Sequence, residues 1–89
     1  MIKRKVLIIN KLGLHARAAA KLVRLAATFS SAVEMKTQCK AANGKSIMGL
    51  MMLAAARGTE ITLIVDGDDE KEACSALEAL IKQRFDEKE

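Results

Sequence analysis

Apolar and polar residues alternate in three stretches of the chain, and this period of two predicts β-strands. The first stretch covers residues 2–9 and the second covers residues 32–37. The third covers residues 61–65 and shows the clearest alternation. A shorter segment, residues 39–42, ends at the turn pair Asn43-Gly44 and is predicted to be a fourth strand.

Helical spacing of apolar residues predicts a helix over residues 16–27. One stripe of this helix should face the core and consists of Ala19, Leu22, Val23 and Ala26. A second stripe is wholly basic and consists of Arg17, Lys21 and Arg24. The helix therefore offers one face to the protein interior and another to an anionic partner.

A second helix is predicted from an unusually apolar run, residues 47–56. The run follows Ser46, a residue type that favours the N-cap position. It precedes Arg57-Gly58, a basic residue and a glycine of the kind that commonly end helices. The run is too apolar for an ordinary surface helix, so part of it should be core and part should be interface.

The last helix is predicted to begin at a capping box, Asp69 with Glu72, and to carry Arg84 near its apolar face. The order of elements is then βαββαβα. This order suits an α+β fold in which a four-stranded antiparallel sheet is covered on one face by three helices. A chain of 89 residues is long enough for one core, so residues 1–89 are predicted to form a single domain without a deep pocket.

Charge is divided unevenly along the chain. Residues 1–59 contain eleven Lys or Arg and one acid, Glu34, which gives a net charge of +10. Residues 60–89 contain four bases and ten acids, which gives a net charge of −6. This asymmetry predicts a surface for an anionic partner and leaves open whether the anion is a nucleic acid, a membrane, a phosphate group or an acidic protein.

Composition argues against several classes of protein. No apolar run approaches the length of a membrane span, and the first residues lack the features of a signal peptide. Cys39 and Cys74 lie far apart without the spacing of a metal site, so both are predicted to be reduced thiols of a cytoplasmic protein. We expect no metal ion, no cofactor and no membrane insertion.

His15 is the only histidine and lies in the sequence GLHAR, at the junction of a glycine-containing loop and a predicted helix. Unpaired amides and the positive end of the helix dipole favour an anion here, by about 0.3–1 kcal/mol at low ionic strength. Arg17 adds a guanidinium suited to phosphate oxygens. A surface histidine without chemistry is the alternative, but these features favour a nucleophilic imidazole that accepts and donates a phosphoryl group.

Two motifs, GLHAR at residues 13–17 and NGKSIMGLMML at residues 43–53, resemble those of the histidine-containing phosphocarrier protein (HPr) family of the bacterial phosphotransferase system. The resemblance extends over essentially the whole chain. It implies an open-faced sandwich fold and a phosphoryl group that passes from Enzyme I through His15 to an Enzyme IIA, with Arg17 as its ligand. The family motif continues with proline where this chain has Ala18, which should leave the first helical turn less rigid.

The same resemblance implies a regulatory site and a docking surface. In many relatives a dedicated kinase/phosphorylase phosphorylates the serine at the position of Ser46, although a helix N-cap would by itself explain a serine there. The docking surface around His15 should combine apolar and basic side chains, namely Ile47, Met48 and Met51 with Lys21, Arg24 and Lys45.

Two other functions stay open at the level of sequence. One is a regulatory member of the same family that serves the nitrogen-related branch and acts mainly through partner binding. The other is a nucleic-acid-binding module, which the basic segment favours and the absence of Tyr and Trp for base stacking opposes. We expect a cytoplasmic, monomeric carrier that binds no nucleic acid and does not catalyse a reaction on its own.

Overall fold

The computed structural model describes residues 1–53 and 55–86. Their four strands are β1 (Ile2–Leu7), β2 (Ala32–Lys36), β3 (Ala41–Asn43) and β4 (Glu60–Asp66). Their three α-helices are α1 (Ala16–Ala27), α2 (Ile47–Met52) and α3 (Glu70–Lys82). The predicted order βαββαβα is therefore confirmed.

The four strands form one sheet in the order β1-β4-β2-β3, and every neighbouring pair is antiparallel. In the centre, Leu63 of β4 lies opposite Met35 of β2. Side chains that alternate along the strands are buried on one face, since Val33, Met35, Ile61, Leu63 and Val65 are all less than a twentieth exposed. The predicted open sheet with helices on one face is confirmed.

The helices pack on the apolar face of this sheet. α3 contacts β1 and β4, α2 contacts β3, and α1 contacts both other helices. The core stripe of α1 differs slightly from the predicted one, because Ala18 is fully buried whereas Val23 is half-buried at the edge of the core. Within residues 1–53 and 55–86, no helix combines the length and apolarity needed to cross a membrane.

The second helix is shorter than predicted. It ends at Met52, whose carbonyl accepts a hydrogen bond of 3.2 Å from the Lys40 ammonium. Ala55 lies beyond the helix, and Ala54 lies outside the described residues. Arg57-Gly58 does not end the helix, because the Gly58 amide donates to the Ile8 carbonyl at 2.7 Å and so extends the pairing of β1. That part of the prediction was wrong.

The third strand begins two residues later than predicted. Residues 37–40 form a bend instead, in which the Thr37 amide donates to the Lys40 carbonyl at 2.8 Å and the Thr37 hydroxyl accepts from the Lys40 amide at 3.2 Å. Cys39 is exposed in this bend, whereas Cys74 is buried in α3. Burial raises the pKa of the Cys74 thiol.

The predicted capping box of α3 was also wrong. Asp69 is the N-cap residue, but its carboxylate makes no capping bond and instead accepts hydrogen bonds from the Ser30 amide at 2.8 Å, the Ser31 amide at 2.9 Å and the Ser31 hydroxyl. It therefore ties the start of α3 to the turn between α1 and β2. Arg84, placed on this helix by the sequence pattern, lies beyond its end and is exposed.

The hydrogen bonds to Asp69 stabilise its charged form. The bond from the Ser31 hydroxyl, with those from the two amides, lowers the pKa of the Asp69 carboxyl from 3.8 to about 2. A carboxylate whose pKa is lower in the folded than in the unfolded chain stabilises the fold above its unfolded pKa. This contribution is lost as the pH falls towards the folded pKa.

The stability of an Asp69→Asn variant should show this pH dependence. We expect the variant to have a lower free energy of unfolding than the wild type at neutral pH, because the charged acceptor is gone. The difference should shrink as the pH falls from about 4 to about 2. Urea unfolding at a series of pH values measures it, with Asp68→Asn, an exposed neighbour, as the control. A difference that stays constant over this range would contradict the assignment.

Candidate functional site

His15 lies at the N-cap of α1, half-buried, with φ −84° and ψ 179°. Its carbonyl accepts the first helical hydrogen bond, from the Ala19 amide at 2.8 Å, while its side chain makes no capping bond to the helix. The amides of residues 16–18 precede Ala19, whose amide is the first with an acceptor inside the helix, and they point out of the helix end. The imidazole is thus attached where these amides emerge.

Arg17 is exposed in the first turn of α1, two residues after the histidine. The first turn holds no acidic residue. Among residues 1–53 and 55–86, no carboxylate forms an ion pair with Arg17 or with the likewise exposed Arg24. The Arg17 guanidinium is therefore available to an anion held at the start of the helix.

The loop before His15 is held by a buried asparagine that was not predicted as a site residue. Asn10 is fully buried, and its Nδ2 donates to the Gly13 carbonyl at 2.7 Å. The Gly13 amide in turn donates to the Asn10 carbonyl at 3.1 Å. Asparagine followed three residues later by glycine is typical of a turn, so this spacing could have indicated the turn before the histidine but not the burial of Asn10.

The end of the loop is pressed against the segment that follows α2. The Leu14 amide donates to the Ala55 carbonyl at 2.8 Å, and the Leu14 side chain is buried. Gly13 has φ +68°, and a Cβ at this position would lie 2.6 Å from the Ala55 oxygen and 2.9 Å from the Ala56 Cα. Only glycine permits both this conformation and this close approach.

Helix α2 presents an apolar surface beside α1, against which it packs. The three residues predicted for docking are all exposed, with fractions of 42% for Ile47, 71% for Met48 and 43% for Met51. Leu50 is the buried residue of the helix. Two further exposed apolar side chains, Met52 and Leu12, were not predicted. Leu12 lies in the loop before His15, outside any periodic pattern, so no local signal pointed to it.

The two lysines predicted for docking hold parts of the fold together. The Lys21 ammonium donates to the Phe85 carbonyl at 2.7 Å, and the Lys45 ammonium donates to the Phe29 carbonyl at 2.9 Å. Both lysines are half-buried. Their part in partner binding stays a prediction. Arg24 is exposed, so its guanidinium is more accessible to a partner than either ammonium.

Ser46 occupies the N-cap of α2, as its sequence position predicted. Its Oγ accepts a hydrogen bond of 3.1 Å from the Gly49 amide, and the residue is half-buried. The N-cap reading of Ser46 is therefore confirmed, and this contact leaves its modification untested.

Histidine, outward amides and an exposed arginine together form a site for an anion attached to the imidazole. A phosphoryl group carries a charge of about −1.5 to −2 near neutral pH. The amides and the guanidinium are donors of the kind that accept such a charge, and no carboxylate lies in the first helical turn to repel it. The arrangement suits transfer of a phosphoryl group to and from the ring.

Comparison with known proteins agrees with this chemistry. A family described as "PTS HPr component phosphorylation site" matches residues 2–83. The chain is 56% identical to a phosphocarrier protein HPr of Cupriavidus necator and 55% identical to one of Neisseria meningitidis, in each case over the full length of both chains. An HPr structure from Thermoanaerobacter tengcongensis superposes with a TM-score of 0.95 at 44% identity and covers both chains completely.

The close approach at Gly13 can be separated from its backbone conformation by a matched pair of variants. Gly13→Ala and Gly58→Ala both place a side chain at positive φ, but only the first meets other atoms within 4 Å. We expect Gly13→Ala to lower the free energy of unfolding by about 1–3 kcal/mol more than Gly58→Ala, because Ala55 must move. It should also shift the His15 ring resonances in NMR spectra. Equal losses of stability in the two variants would contradict the role of this contact.

Proposed function

The chain belongs to the HPr family of phosphocarrier proteins of the phosphotransferase system, and on this premise we propose that it accepts a phosphoryl group from Enzyme I on His15 and passes it to an Enzyme IIA. One observation carries the proposal. His15 forms the N-cap of α1, and the exposed Arg17 lies in the same turn.

Transfer needs no group beyond the ring and its surroundings. A nitrogen lone pair of the neutral imidazole attacks phosphorus, the N–P bond forms, and the bond between phosphorus and the donor breaks. The outward amides of α1 and the Arg17 guanidinium stabilise the charge of the transferred group. In the second transfer the acceptor attacks phosphorus, the N–P bond breaks, and the ring leaves with its lone pair.

The stabilisation available at this site is modest. The helix dipole contributes about 0.3–1 kcal/mol at an exposed end, and an exposed ion pair contributes about 0.2–1 kcal/mol. A carrier benefits from such small values, because a phosphoryl group held much more tightly would leave the ring more slowly. An exposed site at a helix end therefore fits a protein that must both accept and release its cargo.

Partner docking is proposed to use the surface of α2 together with the basic side of α1. Ile47, Met48 and Met51 offer apolar contact area, and Arg24 offers positive charge. Arg17 and Arg24, both exposed on α1, would steer acidic partners towards this side and make docking dependent on salt.

Ser46 is proposed as a site of regulatory phosphorylation by a kinase/phosphorylase. Its position in GKSIMG and its place beside the exposed side chains of α2 support this proposal. A phosphate there would bring negative charge onto a surface that attracts acidic partners, so docking should weaken. A six-residue helix has a small dipole, and repulsion between the phosphate and acidic partners should therefore dominate the effect.

We place the carrier in the cytoplasm and expect it to act as a monomer. Both cysteines are free, which fits a reducing compartment. The face of the sheet opposite the helices carries charged side chains, among them Lys3, Lys5 and Lys36, which disfavour close pairing of two copies through this face.

Phosphorylation of His15 can be tested with phosphoenolpyruvate and a bacterial Enzyme I. Intact-mass measurement should find one acid-labile phosphoryl group on the wild type and none on His15→Ala. Arg17→Ala should reduce kcat/KM for the transfer by about 10- to 1,000-fold, since one charge-stabilising donor is removed. Lys71→Ala is the control, because it removes an exposed cation from α3, outside the proposed site, and should cost much less.

Two results would contradict the proposal. A phosphoryl group on His15→Ala would place the modification elsewhere. No adduct on the wild type, with Enzyme I from several lineages, would favour the regulatory, partner-binding alternative.

The two roles of Ser46 can be separated by one variant. Ser46→Ala should lower the free energy of unfolding by about 1 kcal/mol through loss of the N-cap. It should also abolish the acid-stable phosphate that an HPr kinase/phosphorylase with ATP adds to the wild type. The phosphorylated wild type should accept phosphoryl groups from Enzyme I more slowly, and added salt should reduce this difference. Kinase labelling that persists in Ser46→Ala would refute the assignment.

A further inference from the structure

Three of the six residues of α2 are exposed methionines. Met48 and Met52 are 71% and 69% exposed, and Met51 is 43% exposed. Leu50 is fully buried and anchors the helix on the core. We call Met48, Met51 and Met52 the α2 methionine patch. Met35 in β2 is fully buried, so it serves as an internal control for a methionine that solvent does not reach.

Two contacts connect the helix that carries the patch to the region of His15. α2 packs against α1, which begins at His15. The end of α2 also leads to Ala55, whose carbonyl accepts the Leu14 amide at 2.8 Å immediately before His15. The methionines are therefore exposed on a helix that contacts the helix carrying the imidazole.

We propose that the α2 methionine patch is a site of reversible oxidation, at which peroxide converts the thioethers to sulfoxides and thereby slows phosphoryl transfer through His15. The inference rests on the carrier function proposed above and adds a second means of regulation to it. It is independent of Ser46 and of any kinase.

The chemistry is a two-electron oxidation. A sulfur lone pair attacks one oxygen of hydrogen peroxide, the O–O bond breaks, and the S–O bond of the sulfoxide forms while the second oxygen leaves as water. Sulfur is oxidised and peroxide is reduced, so the reaction balances without another reactant. Methionine sulfoxide reductases can restore the thioether.

Oxidation changes the property for which these side chains suit an interface. A thioether is flexible and apolar, whereas a sulfoxide is polar and must be desolvated when a partner covers it. Because exposure controls access of the oxidant, Met48 and Met52 should react first, Met51 more slowly, and the buried Met35 only if the fold opens.

Two other exposed sulfur atoms must be separated from the patch. Met1 is exposed but precedes β1, at the end of the strand opposite the loop that leads to His15, and its ammonium pairs there with Glu70 at 2.9 Å. Cys39 is exposed in the bend before β3 and would also react with peroxide. A Cys39→Ser background removes this thiol, and Met1 remains as an internal control for an oxidised methionine away from the site.

The experiment compares two proteins in the Cys39→Ser background, one with the patch intact and one with Met48→Leu, Met51→Leu and Met52→Leu. Leucine keeps the apolar character and nearly the volume of methionine but cannot form a sulfoxide. Each protein is treated with graded hydrogen peroxide, which catalase removes before Enzyme I is added. Peptide mass spectrometry then gives the oxidised fraction of each methionine, and kcat/KM is measured for phosphorylation of His15 by phospho-Enzyme I.

Each protein is compared with its own untreated sample, so any effect of leucine on the basal rate cancels. We expect oxidation of the patch to reduce kcat/KM by roughly tenfold in the protein with the patch intact. A loss of this size corresponds to the removal of about one buried apolar contact from the interface with the partner. Treatment with both classes of methionine sulfoxide reductase should restore the rate. The leucine protein should lose less than about twofold at the same dose.

Three results would overturn the inference. One is an unchanged rate after the patch is oxidised, and another is an equal loss in the leucine protein. The third is oxidation of Met35 in parallel with the patch, which would mean that the fold had opened. If the untreated protein accepts no phosphoryl group, the carrier function itself fails and this regulation fails with it, and that result is visible before peroxide is added.

Discussion

The position of the imidazole depends on one backbone contact, between the Leu14 amide and the Ala55 carbonyl. The contact brings the loop that starts α1 against the segment that follows α2, and Gly13 is the residue that lets the two backbones come so close. Asn10 holds the other end of the same loop from within the core. The start of α1 and the segment that follows α2 are thereby fixed together.

The cations in this part of the protein divide into two groups, those bonded to backbone carbonyls and those left exposed. Lys21, Lys40 and Lys45 each donate to a backbone carbonyl of another segment, which ties down the ends of neighbouring elements. A flexible ammonium serves this purpose well, because one donor suffices for one carbonyl. The arginines Arg17 and Arg24 are left exposed, and their forked guanidinium is the better group for phosphate and carboxylate oxygens. The division places the cations suited to anion binding where an incoming partner can reach them.

Much of the fold followed from periodicity, because the central strand β4 and helix α1 each carry an unbroken pattern on one face. The errors lie where a distant segment decides the local structure. Asp69 has the spacing of a capping box, yet its carboxylate binds the turn at Ser31 across the fold. The apolar run 47–56 could not reveal that Ala55 is needed as an acceptor outside the helix. Likewise, the site was predicted through His15 and Arg17, but Asn10 is recognised as a positioning residue only once its burial is known.

A carrier that hands the same group to different proteins cannot enclose it. The consequence is a site at a helix end, held by exposed donors of modest strength, and a neighbouring apolar surface that stays uncovered between encounters. Methionine suits such a surface because its side chain adapts to partners of different shape, and for the same reason its sulfur is open to oxidants. Leu50 and Met35 lack this exposure because they hold the fold together. In this protein the requirement for open docking therefore leaves oxidisable sulfur exposed on the helix that packs against α1, and the proposed sensitivity to peroxide is a direct consequence of the proposed carrier function.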